Sequence, residues 1–389
     1  MGEFKYLVKI SPEENNNRYY RMAQITDSIF EVEMGRIGAK PVKTKKGMEF
    51  WDSVLEKKIK EGYIDRSNLC QIQVNEVQKG YKLIEDPAVK ELIDNLLRYR
   101  DHSLQEEYLI SYDAVTIDML NKAQLLIKEL SCQKDEVSFN QVLQDLFWVL
   151  PRKMQDVNAA MAHQKKDMDK IVLREQSLLD SLRSKIDQEE LFASNKGTIL
   201  DALGLEIRLC NSIEENNIKK HMGSESRGYF KRAYRVRNKN TDERFYSYMK
   251  QNEISDIQYL YHGSKNQNYM GLISEGPKLN PDAPITGKMF GYGLYFANRA
   301  KKSINYTDLI GSYWNKGSSN TAYLAVYKVA YKNAKHTEVW EREMASYTKK
   351  KIAPYDALFA HKGRVLYNDE VIVYDEAQAT LQYLVELHA

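Results

Sequence analysis

The chain has 389 residues, enough for two or three domains, and its 43 % hydrophobic and 29 % charged side chains exclude a disordered tail or a fibrous repeat. Its 57 basic and 54 acidic residues give a net charge of +3, which names no partner. No apolar run approaches the roughly 20 residues needed to span a bilayer, and the start, Met1-Gly-Glu-Phe-Lys5, has no secretory apolar segment. The expectation is a soluble intracellular protein with no membrane partner.

Short stretches of period-two character open the chain: Tyr6-Leu-Val-Lys-Ile10, Tyr19-Tyr-Arg-Met-Ala-Gln-Ile25 and Ser28-Ile-Phe-Glu-Val-Glu-Met34, split by Asn-rich and Asp-Ser turns. Arg36, Lys40, Lys43, Lys45 and Lys46 follow without an acidic neighbour in sequence, either a footprint for phosphates or a solvated loop. A helix is predicted over about 48–60, with Phe50, Trp51, Val54, Leu55 and Ile59 on one face and Gly62 as its stop. The first 82 residues thus read as a small β-rich unit closed by a helix.

From about Asp86 to Gln188 the pattern is helical. Pro87 suits a first turn before Val89, Leu92, Ile93, Leu96 and Leu97. Ser138-Phe-Asn-Gln141 has the form of a capping box ahead of Val142, Leu143, Leu146, Phe147 and Leu150, and Pro151 ends that run. Met168, Ile171, Val172, Leu179, Leu182 and Ile186 make a further stripe, and all these stripes read as the core of an all-α bundle. A second basic stretch, Lys219 to Lys239, has Glu225 as its only acid and is expected to be mostly solvated surface. Cys70, Cys132 and Cys210 lie far apart with no Cys-x-x-Cys pair and no His at ligand spacing, so neither zinc fingers nor a disulfide framework is expected, and no metal.

The last ~195 residues hold most glycines, half of the prolines and the β-type runs Tyr259-Leu-Tyr261, Tyr323-Leu-Ala-Val-Tyr-Lys-Val329 and Val371-Ile-Val-Tyr374, as expected of a mixed α+β domain with a strand-lined cleft. Three patches there could carry chemistry: Leu260-Tyr-His-Gly-Ser-Lys265, Thr286 to Tyr306, and Tyr367 to Asp375. Singly each is ordinary, since a lone His is more often structural and Glu370 could be a strand-edge charge. Their order and spacing together are informative.

On these residues the sequence resembles the poly(ADP-ribose) polymerase family over nearly its whole length. His262-Gly-Ser264, Gly293-Leu-Tyr-Phe-Ala297, Lys302-Ser-Ile-Asn-Tyr306 and Asn368-Asp-Glu-Val-Ile-Val-Tyr-Asp375 are similar to the family's His-Tyr-Glu signature, and Ser274 to Gly287 to its donor loop. Phe147-Trp-Val-Leu-Pro-Arg-Lys-Met154 resembles the regulatory helical domain of the DNA-dependent members. Asn17-Arg-Tyr-Tyr-Arg-Met-Ala-Gln-Ile25 with Met34-Gly-Arg-Ile-Gly38 is similar to the WGR domain, Met34 standing where that domain has tryptophan.

The resemblance implies a multidomain α+β protein: a WGR-like DNA-binding domain at 1–82, a regulatory, autoinhibitory helical domain at 83–195, and an ADP-ribosyltransferase catalytic domain at 196–389. It implies NAD⁺ consumed as substrate, transfer to protein acceptors including the chain itself with chain elongation, activation by DNA with strand breaks, and a monomer in the absence of DNA. Arg36, Lys40 and Lys43 would contact DNA, and Arg36 could fork onto a terminal 5′-phosphate. His262, Tyr295 and Glu370 would be the catalytic set. Gly263 and Ser303 would hold the carboxamide, Tyr295 and Tyr306 the pyridine ring, His262 the adenine-side ribose, Ser264 the adenosine end and Lys302 the reacting ribose. Lys278 falls where an arginine toward the adenine end is usual, and Lys288 where an aromatic cover is usual.

The chemistry is coherent with those residue types. Breaking the nicotinamide–ribose bond passes through an oxocarbenium-like state, which a carboxylate stabilises. Glu370 could also orient or deprotonate an acceptor hydroxyl. A transferase of single ADP-ribose units and a non-catalytic DNA-end or NAD-binding scaffold are the rival readings. The Lys, Asn and Ile content and the lack of zinc fingers point toward a bacterial or otherwise compact enzyme acting on nucleoid DNA, with a small nuclear relative as the alternative.

Overall fold

A computed structural model describes residues 2–11, 15–37, 40–67, 82–109, 115–154, 156–193, 197–279, 289–364 and 366–389. Gly38, Cys70, residues 280–287 of the donor-loop segment, and Lys288 lie outside the described residues. The described chain groups into two compact units, residues 2–67 with 103–186, and residues 82–102 with 187–279 and 289–389.

In the first unit, strands β1 (Phe4–Ser11), β2 (Asn16–Thr26), β3 (Ile29–Arg36), β4 (Val42–Gly47) and β5 (Ile64–Asp65) form an antiparallel sheet in the order β4-β3-β2-β1-β5. Alternation along β1 sends Leu7 to one face, where it packs with Tyr20, Met22, Phe30, Val32 and Trp51. It sends Tyr6, Val8 and Ile10 to the other, where they share a core with Leu120, Leu143, Phe147, Val172 and Leu182 of the helices Ile117–Leu130, Glu136–Val149 and Lys165–Ala193. One continuous core, together with bonds such as Asn17 Nδ2 to the Met154 carbonyl at 2.6 Å, explains why the sheet and these helices make a single compact unit.

Three local expectations change. The helix after Phe50 runs Trp51–Lys60 and buries Trp51, while Phe50 and Ile59 are exposed. The helix Glu136–Val149 starts before Ser138, because Asp135 caps it by accepting from the Ser138 N–H. The basic stretch after Arg36 contains strand β4, and register sets Lys43 opposite Glu33 and Lys45 opposite Glu31. Lys43 pairs with Glu33 at 3.1 Å and Glu31 at 3.5 Å, so a segment free of acids in sequence is not free of them in space.

The second unit contains β6 (Leu205–Leu209), β7 (Phe230–Asn238), β8 (Gln258–Gly263), β9 (Leu294–Phe296), β10 (Thr321–Val329), β11 (Ala334–Thr337), β12 (Ala357–Ala360), β13 (Glu370–Val373) and β14 (Ala379–His388). They make two sheets, β6-β7-β14-β10-β8 and β11-β12-β13-β9, so the fold is α+β. Val89, Leu92, Ile93 and Leu96, from the first half of the helix Pro87–Glu107, join the core these strands share. The second basic stretch is paired rather than simply solvated: Lys231 and Arg232 bind Glu386 at 2.9 and 2.6 Å, and Arg235 reaches Glu214 at 3.3 Å. No helix among the described residues is long and apolar enough to cross a membrane.

Candidate active site

The two sheets of the second unit meet where Tyr261 and Ala297 exchange backbone hydrogen bonds of 2.8 and 2.9 Å, joining β8 to the chain leaving β9. One residue along, His262 Nδ1 lies 3.0 Å from the Tyr295 carbonyl. A carbonyl only accepts, so Nδ1 carries a hydrogen and donates it to Tyr295. Phe296 and Tyr327 present their rings edge-on to the imidazole at 6.0 and 6.2 Å.

β13 pairs with β9 so that Ile372 is opposite Tyr295 and Val371 opposite Phe296. Alternation then puts Glu370, Ile372 and Tyr295 on one face and buries Val371 and Phe296 on the other. The Tyr295 hydroxyl donates to the Gly291 carbonyl and accepts from the Phe290 N–H, both at 3.0 Å. Burial, with Glu370 adding to it, holds that phenol far above the usual tyrosine range. Tyr295 is therefore pinned by its hydroxyl and offers its ring.

Glu370 ion-pairs with Lys302, and the two side chains are only 13 % and 12 % exposed. Lys302 also donates to the Asn368 carbonyl at 3.4 Å. Burial draws the Lys302 ammonium below the ordinary lysine range, and the Glu370 carboxylate opposes that effect. The Tyr306 phenol is pushed up to about 12 by burial and by Glu370.

Lys302 and Ser303 sit on the short helix Ala300–Ile304 against β8. A Cβ on Gly263 would stand 1.8 Å from the Ser303 carbonyl oxygen, so only glycine permits this backbone approach, which sets buried Ser303 beside Gly263. Ser264 donates its N–H to the Tyr269 hydroxyl at 3.2 Å and accepts from Asn268 Nδ2 at 2.9 Å. The structure thus joins His262 to Tyr295, Gly263 to Ser303, and Glu370 to Lys302, with Tyr295 and Tyr306 within the electrostatic reach of Glu370. Lys278 is paired with Glu275, and Arg36, Lys40 and Lys43 belong to the first unit.

Two groups escaped the sequence reading. Asp369 accepts from the Lys362 N–H at 2.7 Å and from Asn298 Nδ2 at 2.9 Å, tying three loops together directly before Glu370. Glu376 accepts from the Leu279 N–H at 2.8 Å and from Arg244 at 3.1 Å, anchoring the chain that enters the donor-loop segment. Only contiguity with a motif residue could have flagged Asp369, and no sequence signal marked Glu376. A separate hollow of about 550 Å³, lined by Arg244, Tyr248, Lys349 and Asp375 among others, shares no residue with the His–Tyr–Glu grouping. Among the described residues no group of three or more His, Cys, Asp or Glu side chains could hold a metal ion.

A carboxylate paired with an ammonium, within electrostatic reach of two tyrosine rings, and an imidazole anchored to the same strand as one of them are suited to holding a sugar and stabilising positive charge on it. Residues 211–389 match the family model described as the poly(ADP-ribose) polymerase catalytic domain. The chain is similar to uncharacterized protein 101L of Invertebrate iridescent virus 6, 27 % identical over 45 % of this chain and 74 % of that one. It is similar to putative poly [ADP-ribose] polymerase-like 100L of the same virus, 26 % identical over 40 % of this chain and 84 % of that one. It is 34 % identical to poly [ADP-ribose] polymerase 1 of Gallus gallus over 35 % of this chain, spanning only 15 % of that longer protein. Residues 211–389, just under half of the chain, thus resemble the NAD⁺-dependent ADP-ribosyltransferase domain of that family in sequence, and the geometry of the site agrees with the resemblance.

Proposed function

We propose that the protein cleaves the nicotinamide–ribose bond of NAD⁺ and transfers ADP-ribose to protein side chains, including its own, extending the product into chains when DNA with strand breaks is present. The observation that carries this reading is the desolvated Lys302–Glu370 pair on the face that bears Tyr295.

Gly263 through its backbone and Ser303 through its hydroxyl hold the carboxamide, and Tyr295 and Tyr306 flank the pyridine ring. His262 holds the adenine-side ribose, and Ser264 serves the adenosine end. Glu370 bonds the 2′-hydroxyl of the reacting ribose and supports its developing charge as nicotinamide leaves with the bonding electron pair. An acceptor hydroxyl then attacks the anomeric carbon and gives its proton to Glu370. Lys302 keeps that carboxylate in place. Lys278 lies near the entry to the donor-loop segment and serves the adenine end.

For the first unit the reading is a WGR-like sheet that offers Arg36, Lys40 and Lys43 to DNA, with helices that restrain the enzyme until DNA favours an open form. What supports it is the family resemblance of those segments and the exposed cations of β4. Incubating the protein with labelled NAD⁺, with and without nicked DNA, tests the proposal. A ladder of labelled species that needs DNA is expected. One discrete shift would reduce the activity to single-unit transfer, and no label under either condition would overturn the enzymatic reading.

A further inference from the structure

The loop between Tyr306 and β10 carries an aromatic feature that the motif residues do not explain. Trp314 stacks on Tyr306 with ring centroids 6.1 Å apart and planes 23° from parallel. Tyr313 closes edge-on to Trp314 at 4.8 Å and 89°. Trp314 is 60 % exposed and Tyr313 71 %, an unusual outlay of apolar surface unless the rings are needed where they stand.

The loop is built to keep them there. Ser319 N–H donates to the Asp308 carbonyl at 2.9 Å and Ile310 N–H to the Ser319 carbonyl at 3.0 Å, closing its neck. Gly317 N–H donates to Ser312 Oγ at 2.8 Å, and a Cβ at Gly317 would meet the Leu309 carbonyl oxygen at 1.8 Å. At the tip, Trp314 N–H donates to the Asn305 carbonyl at 3.0 Å and the Asn315 amide to the Tyr306 carbonyl, folding the tip back on the Tyr306 backbone.

Trp314 thus covers one face of Tyr306 while keeping three-fifths of its own surface in solvent, and the opposite face of Tyr306 is taken as the one that meets a ligand. Granting the NAD⁺ reading above, we propose that Trp314 is a positioning residue for the pyridine carboxamide end of NAD⁺: it fixes the Tyr306 ring so that this opposite face meets the nicotinamide in one orientation. A preset ring loses less freedom when the ligand stacks on it, which tightens binding and aligns the leaving group.

The test measures calorimetric affinity for benzamide, which has the ring and carboxamide alone, and for ADP-ribose, which lacks them, in wild type, W314A, W314L and W314F, alongside NAD⁺ kinetics. W314A and W314L are expected to weaken benzamide about threefold to tenfold, the range of one aromatic pair, and to leave ADP-ribose nearly unchanged. The KM for NAD⁺ should rise by more than kcat falls, and W314F should restore most of the loss. Unchanged benzamide affinity in W314A and W314L, tighter binding that would place the indole in the ligand's own place, or an equal loss for ADP-ribose would overturn the assignment. A wild type that neither binds benzamide nor consumes NAD⁺ would instead overturn the proposed function, and this role with it.

Discussion

At Glu370 a single side chain carries the proposed chemistry, and its surroundings are already set: Lys302 on one side, Tyr295 across the strand pair, and Asp369 fixing the backbone that leads into β13. Glu370→Gln keeps the shape and removes the charge, so chain formation should fall by at least about 10²-fold, the scale of losing one electrostatic stabiliser, with the fold retained and the melting point lowered because Lys302 loses its buried partner. A gel of products and a thermal scan check both halves. Gly263→Ala acts differently. Its added methyl meets backbone, not a flexible tip, so β8 or the helix Ala300–Ile304 must shift, costing about 1–3 kcal/mol and moving Ser303 and Lys302 together. Loss of both stability and NAD⁺ turnover is expected, and an alanine variant as stable and active as wild type would contradict the packing. His262, Tyr295 and Glu370 were legible because their neighbours spell motifs. The reason for glycine at 263 was not, because the colliding atom is a carbonyl forty residues away in sequence.

Elements were legible where one face is buried and hidden where none is. β1, β2 and β3 alternate and were read from that, whereas β4 is an edge strand with five exposed residues in succession, and its lysines give no period. Charges buried by tertiary contact were equally silent: Arg152, read as part of a helical motif, is almost fully enclosed between Glu107, Glu175 and the Tyr108 ring. At the helix Ser212–Met222, Asn211 and Glu214 form a reciprocal capping box, and Arg208 adds a two-pronged bond to Glu214 at 2.7 Å. Those bonds, Arg208 foremost, hold the Glu214 carboxyl down to about 2. Its pKa is depressed on folding, so its contribution is complete above the ordinary value of 4.5 and lost as pH falls from there toward about 2. Glu214→Gln should therefore lower Tm by about 2–4 °C at neutral pH, for a cap contribution of about 1 kcal/mol. Thermal scans across pH 7 to 2 should show that gap closing below 4.5, and a gap constant with pH would remove the charge from the explanation.

For the whole molecule, the proposed function requires the five-stranded sheet of the first unit to meet DNA. Lys43 already has carboxylate partners and Lys40 is exposed, so Lys40→Ala should weaken DNA-stimulated activity more than Lys43→Ala does. Removing a true phosphate contact should also reduce the log–log salt dependence of DNA binding by about 0.9; titration by fluorescence anisotropy at several salt concentrations reads it, and equal effects of the two variants would contradict the pairing argument. The compact units were not legible in the sequence, since the amino-terminal sheet shares its core with helices more than a hundred residues away and Val89 to Leu96 pack with the strands of the second unit. The most direct test of the account is a crystal structure of the protein with an uncleavable NAD⁺ analogue. The account predicts a Glu370 carboxylate oxygen within about 3 Å of the 2′-oxygen of the nicotinamide ribose, hydrogen-bond range, with the pyridine ring between Tyr295 and Tyr306; a dinucleotide bound elsewhere, or a ribose out of reach of Glu370, would contradict it.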